Sequence, residues 1–225
     1  MLDSQIYWLK NRTLIRVSGG DSFRFLQNLI TNDLNVANGT ILYSALLTPQ
    51  GKYLYDFFII KESENVFVID ISSQSKENFL GRLRIYKLRA DVELEEVIGR
   101  VAVSFFEKPA DAFRDPRCEK MGWRKYFTGS TYSKNIPILD TTTYDKFRVD
   151  HLIPETDIEL IRDKTFILEA GFNRLSGVSF TKGCYVGQEV TARMRHKTEL
   201  QKGLAKVKIL GETPGLACDG LSEEK

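Results

Sequence analysis

Cysteine and histidine are scarce in this chain. The three cysteines, Cys118, Cys184 and Cys218, are widely spaced with no C-x-x-C, and the two histidines, His151 and His196, lie near none of them in sequence. That pattern argues against a disulfide framework and against a local zinc site, so no bound metal is expected. Free thiols suit a reducing compartment. An excess of one charge is missing too: 32 Lys and Arg face 30 Asp and Glu, a net charge of +2, so no global field draws nucleic acid or a membrane surface. No run approaches the ~18–20 apolar residues of a membrane helix. The opening Met-Leu-Asp-Ser-Gln has no basic stretch followed by an apolar one, so no signal peptide is expected. These absences point to a cytoplasmic protein, a monomer, with neither a membrane nor a nucleic acid as direct partner.

What is present is ordinary for a globular protein: 225 residues, 42% hydrophobic and 28% charged, enough to bury a core without staples. Thr13–Val17 reads as a strand. Asp21 is placed as an N-cap for a helix over about 22–31, with Phe23, Leu26 and Ile30 at helical spacing. Ile41–Thr48 and Tyr53–Ile60 read as a hairpin around Pro49-Gln50-Gly51-Lys52. Val66–Ile71 follows as a strand. Serines 72, 73 and 75 are placed to cap a helix to about Leu88, and 91–97 and 101–105 read as strands. The order β-α-β-β-(β)-α-β fits a ferredoxin-like α+β unit. Residues 107–135 are rich in loop signals, so divisions are expected at 1–106, 107–200 and 201–225. A helix from Tyr144 to about Leu152, another starting at Gln188, and a strand over 203–210 complete the expectation.

The most unusual segment is Lys182-Gly183-Cys184-Tyr185-Val186-Gly187-Gln188-Glu189. Its glycines allow a tight turn or a close ligand approach. Cys184 follows a lysine and precedes a helix start, and both features favour a thiolate if the thiol is exposed. A buried, inert cysteine is the alternative. From Lys182 to Lys208, seven Lys or Arg stand against two Glu, either a solvated face or an anion-binding patch. Arg193, Arg195, His196 and Lys197 are the candidates for gripping an anion or RNA. Phe57-Phe58 and Phe105-Phe106 are read as core rather than stacking platforms.

The K-G-C-Y-V-G-Q-E box resembles the signature of the YgfZ family. Further likeness lies in Gly20-Asp21, Phe25-Leu26-Gln27, Thr31-Asn32-Asp33, in Leu47-Thr48-Pro49-Gln50-Gly51-Lys52 with Asp56-Phe57, and in Asp115-Pro116-Arg117 with Gly122. It runs from about residue 13 to 210. Leu168-Glu169-Ala170-Gly171 is more distantly similar to the L-E-A-G segment of the glycine-cleavage T-protein, an aminomethyltransferase.

The resemblance implies an α+β, T-protein-like folate-binding fold, with a C-terminal β-barrel truncated or missing beyond the 203–210 strand. It implies tetrahydrofolate as cofactor, with Glu169 accepting from the pterin and Lys182, Tyr185, Gln188, Glu189 and Arg193 as further binding residues. One carboxylate can accept the adjacent N–H donors of a pterin. The resemblance also implies Cys184 as the functional thiol. Asp56 is the candidate catalytic residue, for where the T-protein has a G-G-x-x-D-D type run this chain has Gly51-Lys52-Tyr53-Leu54-Tyr55-Asp56, with one aspartate. The implied function is a folate-dependent factor for assembly or repair of iron–sulfur proteins, with iron–sulfur client or assembly proteins as partners and an indirect effect on tRNA modification. The alternatives are a folate-dependent one-carbon transferase and an RNA-binding protein.

Overall fold

A computed structural model describes residues 6–129, 136–197, 200 and 202–207. In chain order the elements are β1 (Tyr7–Leu9), β2 (Arg12–Ser18), α1 (Ser22–Gln27), β3 (Thr40–Leu47), β4 (Tyr53–Ser63), β5 (Val66–Ser72) and α2 (Lys76–Lys87). Then come β6 (Glu93–Val97), β7 (Gly99–Ser104), β8 (Phe113–Arg114), β9 (Trp123–Thr128), α3 (Thr141–Asp150) and α4 (Gln188–Lys197).

The central sheet is antiparallel in the order β3-β4-β5-β2-β6. With β3 set aside, β4-β5-β2-β6 is the pairing of a β-α-β-β-α-β unit, as expected. The sheet is covered on both faces, which explains the near-continuous apolar run of β4. Phe57 and Ile59 point to the side of α1 and α2, among Leu26, Phe67, Phe79 and Leu83. Phe58 and Ile60 point the other way, among Leu14, Tyr43, Val101 and Val103. Each such side chain contributes roughly 1.5–3 kcal/mol by leaving water. Both Phe57 and Phe58 are therefore core, as is Phe105, whereas Phe106 is exposed.

Against that second face lies a four-stranded sheet in the order β1-β7-β9-β8. Its joint with the central sheet is electrostatic as well as apolar. Asp70 of β5 accepts from Arg12 Nε of β2 at 2.6 Å, and from Arg124 Nη2 and Tyr126 Oη of β9 at 2.6 and 2.9 Å. Arg117 forks onto Asp115 at 3.0 and 2.9 Å, and the Arg124 guanidinium sits 3.9 Å over the Phe58 ring.

Several local expectations change. The helix expected over 22–31 ends at Gln27, because Ile30 bridges Leu46 and the Thr31 N–H donates to the Ala45 carbonyl, which pulls the chain onto β3. Asp21 makes no cap bond; its carboxylate accepts from the Asp91 N–H, while Asp91 accepts from the Gly20 N–H, so the pair staples two turns together. The serines before α2 cap nothing, and Ser75 Oγ accepts from Arg162 instead. Residues 107–129 contain β8 and β9, and a division at 106/107 falls between the paired strands β7 and β9. Residues 202–207 form no strand, and 208–210 lie outside the described residues.

Candidate functional site

The K-G-C-Y-V-G-Q-E loop is held from both sides. Lys182 is buried, and its ammonium donates to the carbonyls of Gln27, Ile30 and Asn32 at 2.7–2.8 Å, at and just beyond the C-terminal end of α1. Burial lowers its pKa to about 8, with Asp33 opposing the shift. Its three N–H donors are thus all used within the protein, although the sequence placed Lys182 among ligand-binding residues. Tyr185 is buried in the core with the Lys182 ammonium 5.2 Å from its ring centroid, and burial pushes its phenol up. The Val186 N–H donates to the Asn28 carbonyl.

Gly187 and Gly51 lock the loop to the β3–β4 turn. Both have positive φ, +83° and +76°. A Cβ on Gly187 would stand 2.6 Å from the Thr48 carbonyl oxygen, and one on Gly51 would stand 2.7 Å from Val190 Cβ. Only glycine permits that approach. Two segments that stood out in the sequence as separate boxes are therefore one packed unit.

Between Lys182 and Tyr185, both pinned, Cys184 is exposed. The alternative of a buried, inert cysteine is thereby removed. The helix expected at Gln188 does start there, as α4. Gln188 Nε2 donates to the Gly183 carbonyl at 3.4 Å. Glu189 and Arg193 form an exposed i,i+4 pair on α4 at 2.9 Å, so these two expected ligand residues face each other at the surface. Arg195 lies 3.7 Å over the Phe180 ring.

Asp56 stands elsewhere, buried in a cage of hydroxyls. Its Oδ1 accepts from Tyr53 Oη at 2.7 Å and Thr156 Oγ1 at 2.6 Å, and its Oδ2 from Tyr43 Oη at 3.0 Å. Burial and the neighbouring carboxylate push both tyrosines up, so they remain donors. Both Asp56 oxygens are occupied. Glu169 is partly exposed, and its carboxylate has no hydrogen bond or ion pair among the described residues. Its loop packs under the same cage: Phe172 stacks on Tyr43 at 5.0 Å, and the Tyr53 N–H donates to the Thr165 carbonyl. Asp56, Glu169 and Cys184 make no hydrogen bond with one another.

The sequence reading missed a cavity of about 550 Å3 beside the Asp56 cage, whose wall includes Arg12, Tyr144, Glu155 and Thr156. Its one sequence signal was Pro154-Glu155-Thr156, an acid at the end of a helix stop.

The central sheet and its two helices define a GCVT-type protein: residues 9–104 match the GCVT N-terminal domain. Among curated proteins, the chain is 31% identical over 240 residues to the mitochondrial iron–sulfur cluster assembly factor IBA57 of Homo sapiens, covering 92% of this chain and 67% of that protein. The Mus musculus protein matches at 31% over 239 residues, covering 92% and 66%. A homologue from Pyricularia oryzae matches at 31% over 213 residues, covering 86% and 54%. The chain belongs to the IBA57 family of iron–sulfur cluster assembly factors. It spans from about half to two thirds of the length of these relatives. A solved glycine cleavage system aminomethyltransferase T from Bartonella henselae overlaps 44% of this chain and 28% of its own at 17% identity, with a TM-score of 0.42.

The relatives named here are mitochondrial proteins, which overturns the expected cytoplasmic location. Free thiols imply only a reducing environment, and that is not particular to the cytoplasm.

Proposed function

We propose that this chain serves the assembly of iron–sulfur proteins by presenting Cys184 to a client or assembly protein, with a folate as its small-molecule ligand. The observation that carries the reading is the exposure of Cys184 between two pinned neighbours, Lys182 and Tyr185. A thiolate is a soft ligand of the kind iron–sulfur clusters use. Holding its loop beforehand lowers the ordering cost of meeting a partner. The names of the relatives support the same role.

Folate fits the acceptor at Glu169, a partly exposed carboxylate without a partner among the described residues, suited to the paired N–H groups of a pterin. A T-protein-type transfer through Asp56 has less support, since three hydroxyls already occupy that carboxylate. The effect on tRNA modification would follow from iron–sulfur clients.

The test is complementation in cells lacking this gene, reading the activity of a [4Fe–4S] enzyme. Cys184→Ala should give no rescue, and full rescue by that variant would sink the reading. In parallel, Glu169→Gln should weaken tetrahydrofolate binding in calorimetry by about 1.5–3 kcal/mol, roughly ten- to a hundredfold. Equal affinities would remove folate from Glu169.

A further inference from the structure

The cavity beside the Asp56 cage has a polar wall that the reading above does not use. Glu155 lines it, is partly exposed, and its carboxylate makes no hydrogen bond or ion pair among the described residues. Arg12 lines it too. Its Nε donates to the Asp70 carboxylate at 2.6 Å and its Nη2 to the Asp70 carbonyl at 2.7 Å, while Nη1 has no acceptor among the described residues. Among the described residues, Arg162 Nε is the only fully buried side-chain polar atom without a partner. The unpaired atoms of Arg12 and Glu155 are therefore open to solvent, and the open space beside them is the cavity. The two side chains feel each other's charge but do not pair within 4.0 Å. Tyr144, on the same wall, accepts from Arg117 Nη2 at 3.2 Å and keeps its own proton to donate. Burial and the charge of Asp56 push the Glu155 carboxyl up, while Arg12, Arg117 and Arg148 oppose them. Ile138 and Ile158, both exposed, form apolar lips.

An unpaired donor and an unpaired acceptor on one wall complement a ligand edge that carries the reverse pair. An anion would meet Glu155, and a cation would meet Arg12. A neutral amide or lactam answers both, and a flat ring suits the isoleucine lips. We propose that this cavity binds a flat ring bearing a primary amide or lactam edge, with Arg12 and Tyr144 donating to its carbonyl and Glu155 accepting from its N–H.

The Glu155 carboxylate has no hydrogen-bond partner among the described residues, so Glu155→Ala, which keeps the backbone bonds to Glu159 and its neighbours, removes no side-chain bond, and its melting temperature should match that of the parent. Benzamide is the probe, followed by backbone-amide chemical shifts. It should saturate at millimolar concentration, as expected of so small a molecule, with shifts centred on Ile138, Glu155 and Thr156. Benzoate and benzamidine should bind more weakly, and Glu155→Ala should weaken benzamide about tenfold. The proposal is overturned if benzamide gives no saturable shift there, if Glu155→Ala leaves its affinity unchanged, or if either charged analogue binds more tightly. Tetrahydrofolate carries a lactam edge as well. If it is the occupant, its affinity falls with Glu155→Ala and not with Glu169→Gln; if another molecule is, the reverse holds while benzamide still needs Glu155.

Discussion

The joint between the two sheets and the Lys182–Glu189 loop both bury cations, and they use them in opposite ways. At the joint, Arg12, Arg117 and Arg124 meet the carboxylates of Asp70 and Asp115, whose side chains are at most 1% exposed. At the loop, the Lys182 ammonium meets three backbone carbonyls and, among the described residues, no carboxylate within 4.0 Å. The first arrangement ties two layers together and presents little. The second fixes a loop at its root and leaves the thiol at its crest free. Charge in the joint therefore serves cohesion, and charge in the loop serves presentation.

Breaking the joint should have the largest effect. Asp70→Ala leaves Arg12 buried without its carboxylate and Arg124 with only Asp115 at 3.7 Å, which costs about 3–5 kcal/mol, read as a lower guanidinium midpoint with an unchanged slope. The cluster also sets an acid limit. Burial pushes the Asp70 and Asp115 carboxyls up, but the adjoining arginines hold them below the ordinary value of 3.8. A carboxyl depressed in the folded state contributes stability that is present above its unfolded pKa and lost as pH falls towards its folded one. Parent stability should thus fall below about pH 4, and Asp70→Asn should fall less steeply there. An equal acid slope would show that Asp70 does not carry this sensitivity.

Much of the central sheet was legible because its apolar strands are separated by Gly, Pro and Ser signals. Of the four-stranded sheet only β7 was. Trp123–Thr128 carries Arg124 and Lys125, and it reads as a strand only once Asp70, 54 residues away, supplies a buried partner for Arg124. The same blindness applied to the site. The 182–189 box stood out as a string, but nothing in the string says that Lys182 reaches back to α1 or that Gly187 docks on the Gly51 turn. Both contacts span more than 130 residues and exist only in the fold. Glu155 showed only as an acid beside Pro154, for a related reason: what marks it is a carboxylate without a partner among the described residues, and a sequence does not display that.

Breaking the root of the loop should cost less than breaking the joint, and it should blur the contrast between them. Lys182→Met keeps the apolar stem but strips three carbonyls of their donor. Leaving such groups unsatisfied costs about 1–3 kcal/mol. The loop should then move, and amide exchange at Gly183–Val186 should speed up relative to β4. Unchanged exchange would mean that Tyr185 and Gly187 hold the loop unaided.

The smallest effect on stability and the largest on function should come from Cys184→Ser. The thiol is exposed, so the substitution removes little buried apolar volume, and surface changes of this kind usually stay within about 0.5 kcal/mol. Neither Lys182, Tyr185 nor Gly187 relies on the sulfur for its contacts, so the loop should keep its shape. Iodoacetamide makes the point directly. In the folded parent, Cys184 should label quickly and Cys118, half-buried, slowly, whereas denaturant should level the two rates. If Cys184 labels no faster than Cys118, or if Cys184→Ser lowers the melting temperature as far as Lys182→Met does, the thiol is part of the loop's packing. The loop would then be a second structural joint, and the distinction between cohesion and presentation would fail at the residue on which it depends.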